Sequence, residues 1–229
     1  MRFFLITGFG LDKRAFSLLN LPEDRFKVFD LIPPLKGETL QTYALRMGRE
    51  IGVGPDDVVG GVSFGGMMGL EIAKALKTRA VVIIASSTHP RHIRKRFLLF
   101  SHVAPHAPDF FVHRIFRLIP WVLKRSKMLT PEGQALLNAI MTAFPPAWLR
   151  SMPPMIRKWE GCPPAVPFRQ MHSEGDWLIR LNGDPKTLTV VKGRNHLITV
   201  SHPEAVRKFL TDAWEEFSDT RVLRGQNEN

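Results

Sequence analysis

Residues 56–66, D-D-V-V-G-G-V-S-F-G-G, set one serine, Ser63, among four glycines. A serine hydroxyl is a weak nucleophile until a base takes its proton, and that base needs a carboxylate to fix its tautomer and stabilise its cation. A strand that turns abruptly into a helix can present such a hydroxyl, but the turn strains the serine backbone and presses strand and helix together. Positions two before and two after the serine must then be small, and Gly61 and Gly65 stand there, with Gly60 and Gly66 beside them. Ser63 is therefore the expected nucleophile. Downstream, H-S-E-G-D-W-L-I-R carries Asp176 just past a predicted strand, and V-V-K-G-R-N-H-L-I-T carries His196 in the loop after the next one. The chain order serine, aspartate, histidine is the one that accompanies this kind of elbow. Asp176 and His196 are the expected acid and base.

Other residues compete for these roles. Asp184 in N-G-D-P-K reads as a turn residue, and His202 in S-H-P-E as a helix start, because Pro203 suits the first helical position. His89 and His92 in H-P-R-H-I-R have no accompanying acid cluster, so no metal site is expected there. Ser86, Ser87 and the histidines further on read as polar loop or surface groups. A glycine-rich turn that binds phosphate is the competing reading of residues 60–66, but no Gly-Lys-Ser/Thr follows, and no G-x-G-x-x-G follows the first strand. Neither a nucleotide nor any other cofactor is expected.

The elements that must position these groups follow from hydrophobic pattern. Short apolar runs at 3–6, 26–32, 58–62, 80–86, 165–173 and 187–191 predict strands, most of them covered on both faces. Apolar stripes at helical spacing predict helices over 39–51, 64–76 and 203–217. Strands alternating with helices, without hairpin signals, make the fold α/β: a mostly parallel sheet of about six strands with helices on both faces. Both loops bearing Asp176 and His196 then lie at the carboxyl edge of the sheet, as does Ser63.

The alternation stops between residues 87 and 164. Prolines at 105, 108, 120, 131, 145, 146, 153 and 154 punctuate a series of short predicted helices. In one of them Phe110, Phe111, Ile115 and Leu118 recur at helical spacing, and in another Thr130 caps a helix that begins at Pro131. This insertion reads as a helical lid on a core made of residues 1–86 and 165–217, with a polar tail over 218–229. Apolar stripes of this kind are expected to form the lid's own core, with its underside roofing an apolar acyl pocket. Met128, Met141, Met152 and Met155 suit the lining of such a pocket.

The chain of 229 residues is 44% hydrophobic and 23% charged, the balance of a packed protein. Lysines and arginines exceed acids to give a formal net charge of +11. Residues 88–165 hold twelve of the basic residues against three acids, so most of the surplus lies in the lid segment. Such a surface attracts anions: an anionic part of a substrate, an acidic carrier protein, lipid headgroups or nucleic acid. Nucleic acid is not the expected partner, because a complete serine, histidine and aspartate set argues against binding as the sole role. The single cysteine, Cys162, excludes an intrachain disulfide, and no apolar run is long enough to span a bilayer, so a cytoplasmic location is the expectation.

Taken together, the elbow, the acid and base loops and the lid position resemble the α/β-hydrolase fold superfamily, specifically its compact single-domain esterases and thioesterases. The likeness covers residues 1–86 and 165–217. T-G-F-G, Thr7 to Gly10, resembles the superfamily's H-G-x-G stretch, which implies an oxyanion hole made by the backbone N–H groups of Phe9 and Phe64. Thr7, Ser173, Arg180 and Asn195 depart from residues common at their positions. The activity implied is hydrolysis of a carboxylic ester or thioester of a small to medium acyl group through an acyl-enzyme on Ser63. Acyl transfer or a lyase step could use the same three residues, and a non-catalytic binding module on this scaffold is the alternative outside enzymes.

Overall fold

The computed structural model describes residues 1–108, 110–111, 114, 118, 121, 129–143, 145, 147–193 and 195–219. Six strands, β1 (Phe3–Ile6), β2 (Phe26–Phe29), β3 (Val58–Val62), β4 (Ala80–Ile84), β5 (Phe168–Ser173) and β6 (Leu188–Val191), form one sheet in the order β2-β1-β3-β4-β5-β6. Every pairing is parallel. The central strands β1, β3 and β4 are buried along their whole length, which is why they read as unbroken apolar runs. From β1 the chain moves outward to β2 and then returns to the opposite side of β1 as β3. The carboxyl ends of β1 and β3 therefore flank a topological switch point, where a crevice opens in sheets of this kind.

Side chains alternate between two cores. On one face Phe3, Leu5, Val58, Val62, Val82 and Ile84 pack with the last helix of the domain, Pro203–Ser218, through Val206, Phe209, Leu210, Ala213 and Phe217. On the other, Phe4, Ile6, Val59, Val81 and Ile83 pack with α1 (Leu40–Glu50) and α2 (Phe64–Leu76). Thr39 starts α1 by accepting the Thr42 N–H while the Thr42 side chain accepts the Thr39 N–H. Gly69 lets α2 lie close to the sheet, since a Cβ there would come within 2.7 Å of the Gly60 Cα.

The lid lies between β4 and β5 and contains α3 (Lys95–Val103), α4 (Pro131–Ala143) and α5 (Trp148–Lys158). Thr130 Oγ1 accepts the Gly133 N–H at the start of α4, the cap its sequence implies. A short α6 (Ile198–Ser201) and the long α7 (Pro203–Ser218) close the domain. No described helix is long and apolar enough to cross a membrane.

Several elements differ from expectation. β2 ends at Phe29 and not at Ile32, because its partner β1 ends at Ile6, opposite Phe29, and leaves the next residues nothing to pair with. β4 ends at Ile84 because Ala85 turns the chain at a φ of 45°. Pro153 and Pro154 do not break a helix: α5 runs through both, carried by burial of Met152, Met155 and Ile156 against the sheet's second core. Phe110, Phe111 and Leu118 were expected to pack a lid core, yet all three are exposed. Phe110, Phe111, Arg114, Leu118 and Trp121 each have helical backbone. Ile115, Met128 and the tail after residue 219 lie outside the described residues.

Candidate active site

Ser63 occupies the junction of β3 and α2 with φ 53° and ψ −114°, outside the regions open to ordinary L-residues. The junction is held from both sides. The Ser63 N–H donates to the Ile84 carbonyl at 2.9 Å, and Ser86 Oγ donates to the Ser63 carbonyl at 2.6 Å. The flanking glycines are required by contact. A Cβ on Gly61 would stand 2.1 Å from the Ile6 carbonyl oxygen, and one on Gly65 would stand 2.2 Å from the same atom. The strand end of β1 and the start of α2 thus meet with no room between them.

The structure brings the three predicted side chains together. His196 Nε2 lies 2.9 Å from Ser63 Oγ, and His196 Nδ1 lies 2.7 Å from Asp176 Oδ2. Asp176 and His196 are buried, and the other carboxylate oxygen, Oδ1, accepts the N–H groups of Leu178 at 2.7 Å and Ile179 at 2.9 Å. Burial alone pushes the Asp176 carboxyl up, but the His196 ring and those two N–H groups outweigh it and hold the carboxyl below its ordinary value of 3.8. A charged Asp176 fixes the proton of a neutral His196 on Nδ1 and leaves Nε2 as the acceptor facing the serine. Phe64 is the first residue of α2, where an N–H has no partner within the helix, and Phe9 follows β1 beside the elbow.

Contacts account for three of the four departures from common residues, and the buried Thr7 hydroxyl has no such partner among the described residues. Ser173 Oγ donates to the Gly193 carbonyl at 2.8 Å and accepts the Asn195 N–H at 3.2 Å, so the end of the acid strand is tied directly to the histidine loop. Asn195 Oδ1 accepts the Leu197 N–H at 3.0 Å, bracing the residue after His196. The Arg180 N–H donates to the His92 carbonyl, and the Arg94 guanidinium donates to the Asp176 carbonyl at 3.0 Å, joining the start of the lid to the acid loop. Thr7 is fully buried behind the elbow.

The competing residues stand elsewhere. Asp184 Oδ1 accepts the Lys186 N–H in an exposed turn, as its sequence implies. His202 precedes Pro203 at the start of α7, with Nδ1 2.8 Å from Ser201 Oγ. His89 accepts the Arg91 N–H, and His92 Nδ1 lies 2.9 Å from Ser87 Oγ. Ser86 and Ser87, expected as polar loop or surface groups, do lie in the loop after β4 but are fully buried, and Ser86 is part of the elbow itself. Burial pushes the Cys162 thiol up to about 11, which makes it a poor nucleophile.

Ser63 and His196 open into a cavity of about 260 Å³ whose other walls are apolar, among them Phe9, Met67, Ile93, Met141, Trp177 and Leu197. Among the described members of the expected methionine set, Met141 reaches this wall. Met152 and Met155 are buried in the second core. Trp177 was not foreseen; its ring meets His196 edge-on with centroids 5.6 Å apart. Its position directly after the acid is the only sequence signal that could have marked it. No lysine or arginine lines the cavity among the described residues, and Arg94, Arg96 and Arg157 donate to backbone carbonyls.

Comparison with known proteins agrees with this architecture. No curated protein matches the chain. Among solved structures, a thermophilic esterase from Thermogutta terrifontis superposes with a TM-score of 0.70 at 15% identity, covering 95% of this chain and 90% of that one. The enol-lactonase from Burkholderia xenovorans gives a TM-score of 0.70 at 14% identity, over 94% and 92% of the two chains. MenH from S. aureus gives 0.69 at 14% identity, over 95% of each. At these identities the likeness is one of fold. The sequence profile of the alpha/beta hydrolase family matches residues 3–209, nearly the whole described chain, and includes the elbow, the acid loop and the histidine loop. The chain belongs to the alpha/beta hydrolase family.

Proposed function

We propose that the protein is a serine hydrolase that cleaves a carboxylic ester or thioester of a small to medium apolar acyl group. The observation that carries this reading is the continuous relay from Ser63 Oγ to His196 Nε2 at 2.9 Å and from His196 Nδ1 to Asp176 Oδ2 at 2.7 Å. In the proposed reaction His196 accepts the Ser63 proton as the oxygen attacks the substrate carbonyl carbon. The negative charge on the carbonyl oxygen is met by the N–H groups of Phe9 and Phe64. The imidazolium then protonates the departing alkoxide or thiolate, leaving an acyl-Ser63 ester. Water, deprotonated by His196, attacks that ester, and the proton returns to Ser63 as the acid leaves.

The apolar walls of the cavity favour an uncharged hydrocarbon acyl group over an anionic one. Ser63→Ala is expected to keep the wild-type fold and to lower turnover of a chromogenic short-chain ester by about 10⁴-fold or more. Equal turnover by the two proteins would remove the assignment. Adding alcohol or amine acceptors to the wild-type reaction separates hydrolysis from acyl transfer, and the proposal requires free acid as the main product.

A further inference from the structure

Two arginines of the lid fasten the loop that carries Asp176. Three successive carbonyls of that loop accept from the lid entry. Asp176 accepts the Arg94 guanidinium, from Nε at 3.3 Å and Nη2 at 3.0 Å, Trp177 accepts Arg96, and Leu178 accepts the Arg94 N–H at 3.0 Å. An antiparallel bridge between Ile93 and Ile179 completes the seam, with the Arg180 N–H donating to the His92 carbonyl at 2.8 Å. Asp176 is buried, and a buried carbonyl needs a donor. The Asp176 N–H makes only a long bond, 3.4 Å to the Ser173 carbonyl, so the guanidinium is the closer restraint on the backbone of the acid. Arg94 is itself fixed: it is half-buried, and its carbonyl accepts the Phe97 N–H at 2.9 Å at the start of α3.

We propose that Arg94 is a positioning residue for the reaction: from the lid, it holds Asp176 where that acid orients the His196 ring. This inference rests on the serine-hydrolase reading above. The carbonyl that Arg94 grips and the carboxylate that meets His196 belong to one residue, whose Oδ1 is already engaged by the Leu178 and Ile179 N–H groups. A shift of the peptide between residues 176 and 177 therefore carries the carboxylate with it, and a misplacement of about 1 Å is enough to cost on the order of 100-fold in rate. Arg94 acts through geometry, since its guanidinium meets the carbonyl of Asp176 and not its carboxylate. The seam also walls the cavity, with Ile93 and Phe97 on the lid side and Trp177, Leu178 and Ile179 on the loop side. The lid thus helps to assemble the relay as well as to enclose the acyl group.

Arg94→Ala, assayed on a soluble short-chain ester, should lose about tenfold or more of kcat while KM stays near wild type. Guanidinium added below denaturing concentrations should restore part of kcat in Arg94→Ala and none in Ser63→Ala, a recovery that a merely structural role does not give. Lys95→Met removes a neighbouring exposed charge and should keep the wild-type kcat. Arg94→Lys keeps a cation and a donor but not the fork, so its kcat should lie between those of wild type and Arg94→Ala. If Arg94→Ala does not fold, Arg94→Lys decides: a reduced kcat at wild-type KM and denaturant midpoint supports the proposal. Wild-type kcat in a folded Arg94→Ala, or in Arg94→Lys where Arg94→Ala does not fold, would overturn it. So would an equal fall in Lys95→Met, or a fall in Arg94→Ala that follows lost stability and that guanidinium leaves unchanged. Ser63→Ala as active as the wild type would instead remove the catalytic reading, and this inference with it, so the two failures are distinguishable.

Discussion

Ser63 holds a backbone conformation that costs about 1–3 kcal/mol in a residue with a side chain, and neighbouring groups pin it there. That cost places the hydroxyl at the helix start, against His196 Nε2. Ser63→Gly removes the strain together with the proposed nucleophile. We expect it to raise unfolding stability by about 1 kcal/mol while abolishing ester turnover, read from denaturant midpoints. A fall in stability would mean that the elbow is not strained. Ser63, Asp176 and His196 were legible in the sequence because a hydroxyl nucleophile demands particular residue types at sheet-edge positions. Ser86 and Trp177 were not legible, because what they touch depends on which strand ends are neighbours. Only the order β2-β1-β3-β4-β5-β6 sets Ser86, at the end of β4, beside the elbow at the end of β3.

Between elements, the relay depends on two loops from β5 and β6 keeping a common position. Ser173 joins them by donating to Gly193 and accepting from Asn195, both from a fully buried hydroxyl. Ser173→Ala leaves the buried Asn195 N–H without that partner, at a cost of about 1–3 kcal/mol. If the bond positions His196, kcat should fall while the KM for a short-chain ester stays near wild type. Loss of stability with unchanged kcat would make Ser173 a packing residue only. The buried central strands were predicted closely because their apolar runs have no competing interpretation. Strand ends were overextended at β2, where the pairing partner and not residue type decides the limit, and at β4, where the backbone turns at Ala85. The lid was the least legible part: its prolines read as breaks, yet burial carries α5 through two of them.

For the molecule as a whole, the site makes stability depend on pH. Burial lowers the His172 ring below its ordinary value of 6.5, against the pull of nearby Asp176, and His172 is fully buried beneath the acid loop. Below 6.5 the unfolded chain takes up a proton at this ring that the folded chain refuses, so stability falls as pH drops from there toward the lower folded value. Asp176 adds a second loss further down: its stabilisation is complete above the ordinary carboxylate value of 3.8 and disappears as pH falls through the depressed folded value. His172→Gln should flatten the first slope in denaturation experiments on either side of 6.5 and leave the second. An unchanged first slope would assign it to another group. At this scale the charge surplus of the lid segment was legible from composition, whereas the solvent-facing Phe110, Phe111 and Leu118 were not, since periodicity gives a stripe but not what covers it. The central claim, that Ser63 is the nucleophile activated by His196, is tested most directly by reacting the protein with a fluorophosphonate probe and mapping the adduct by peptide mass spectrometry. The account predicts one adduct, on Ser63, formed far more slowly in His196→Ala. A probe that leaves Ser63 unmodified while ester turnover continues would contradict it.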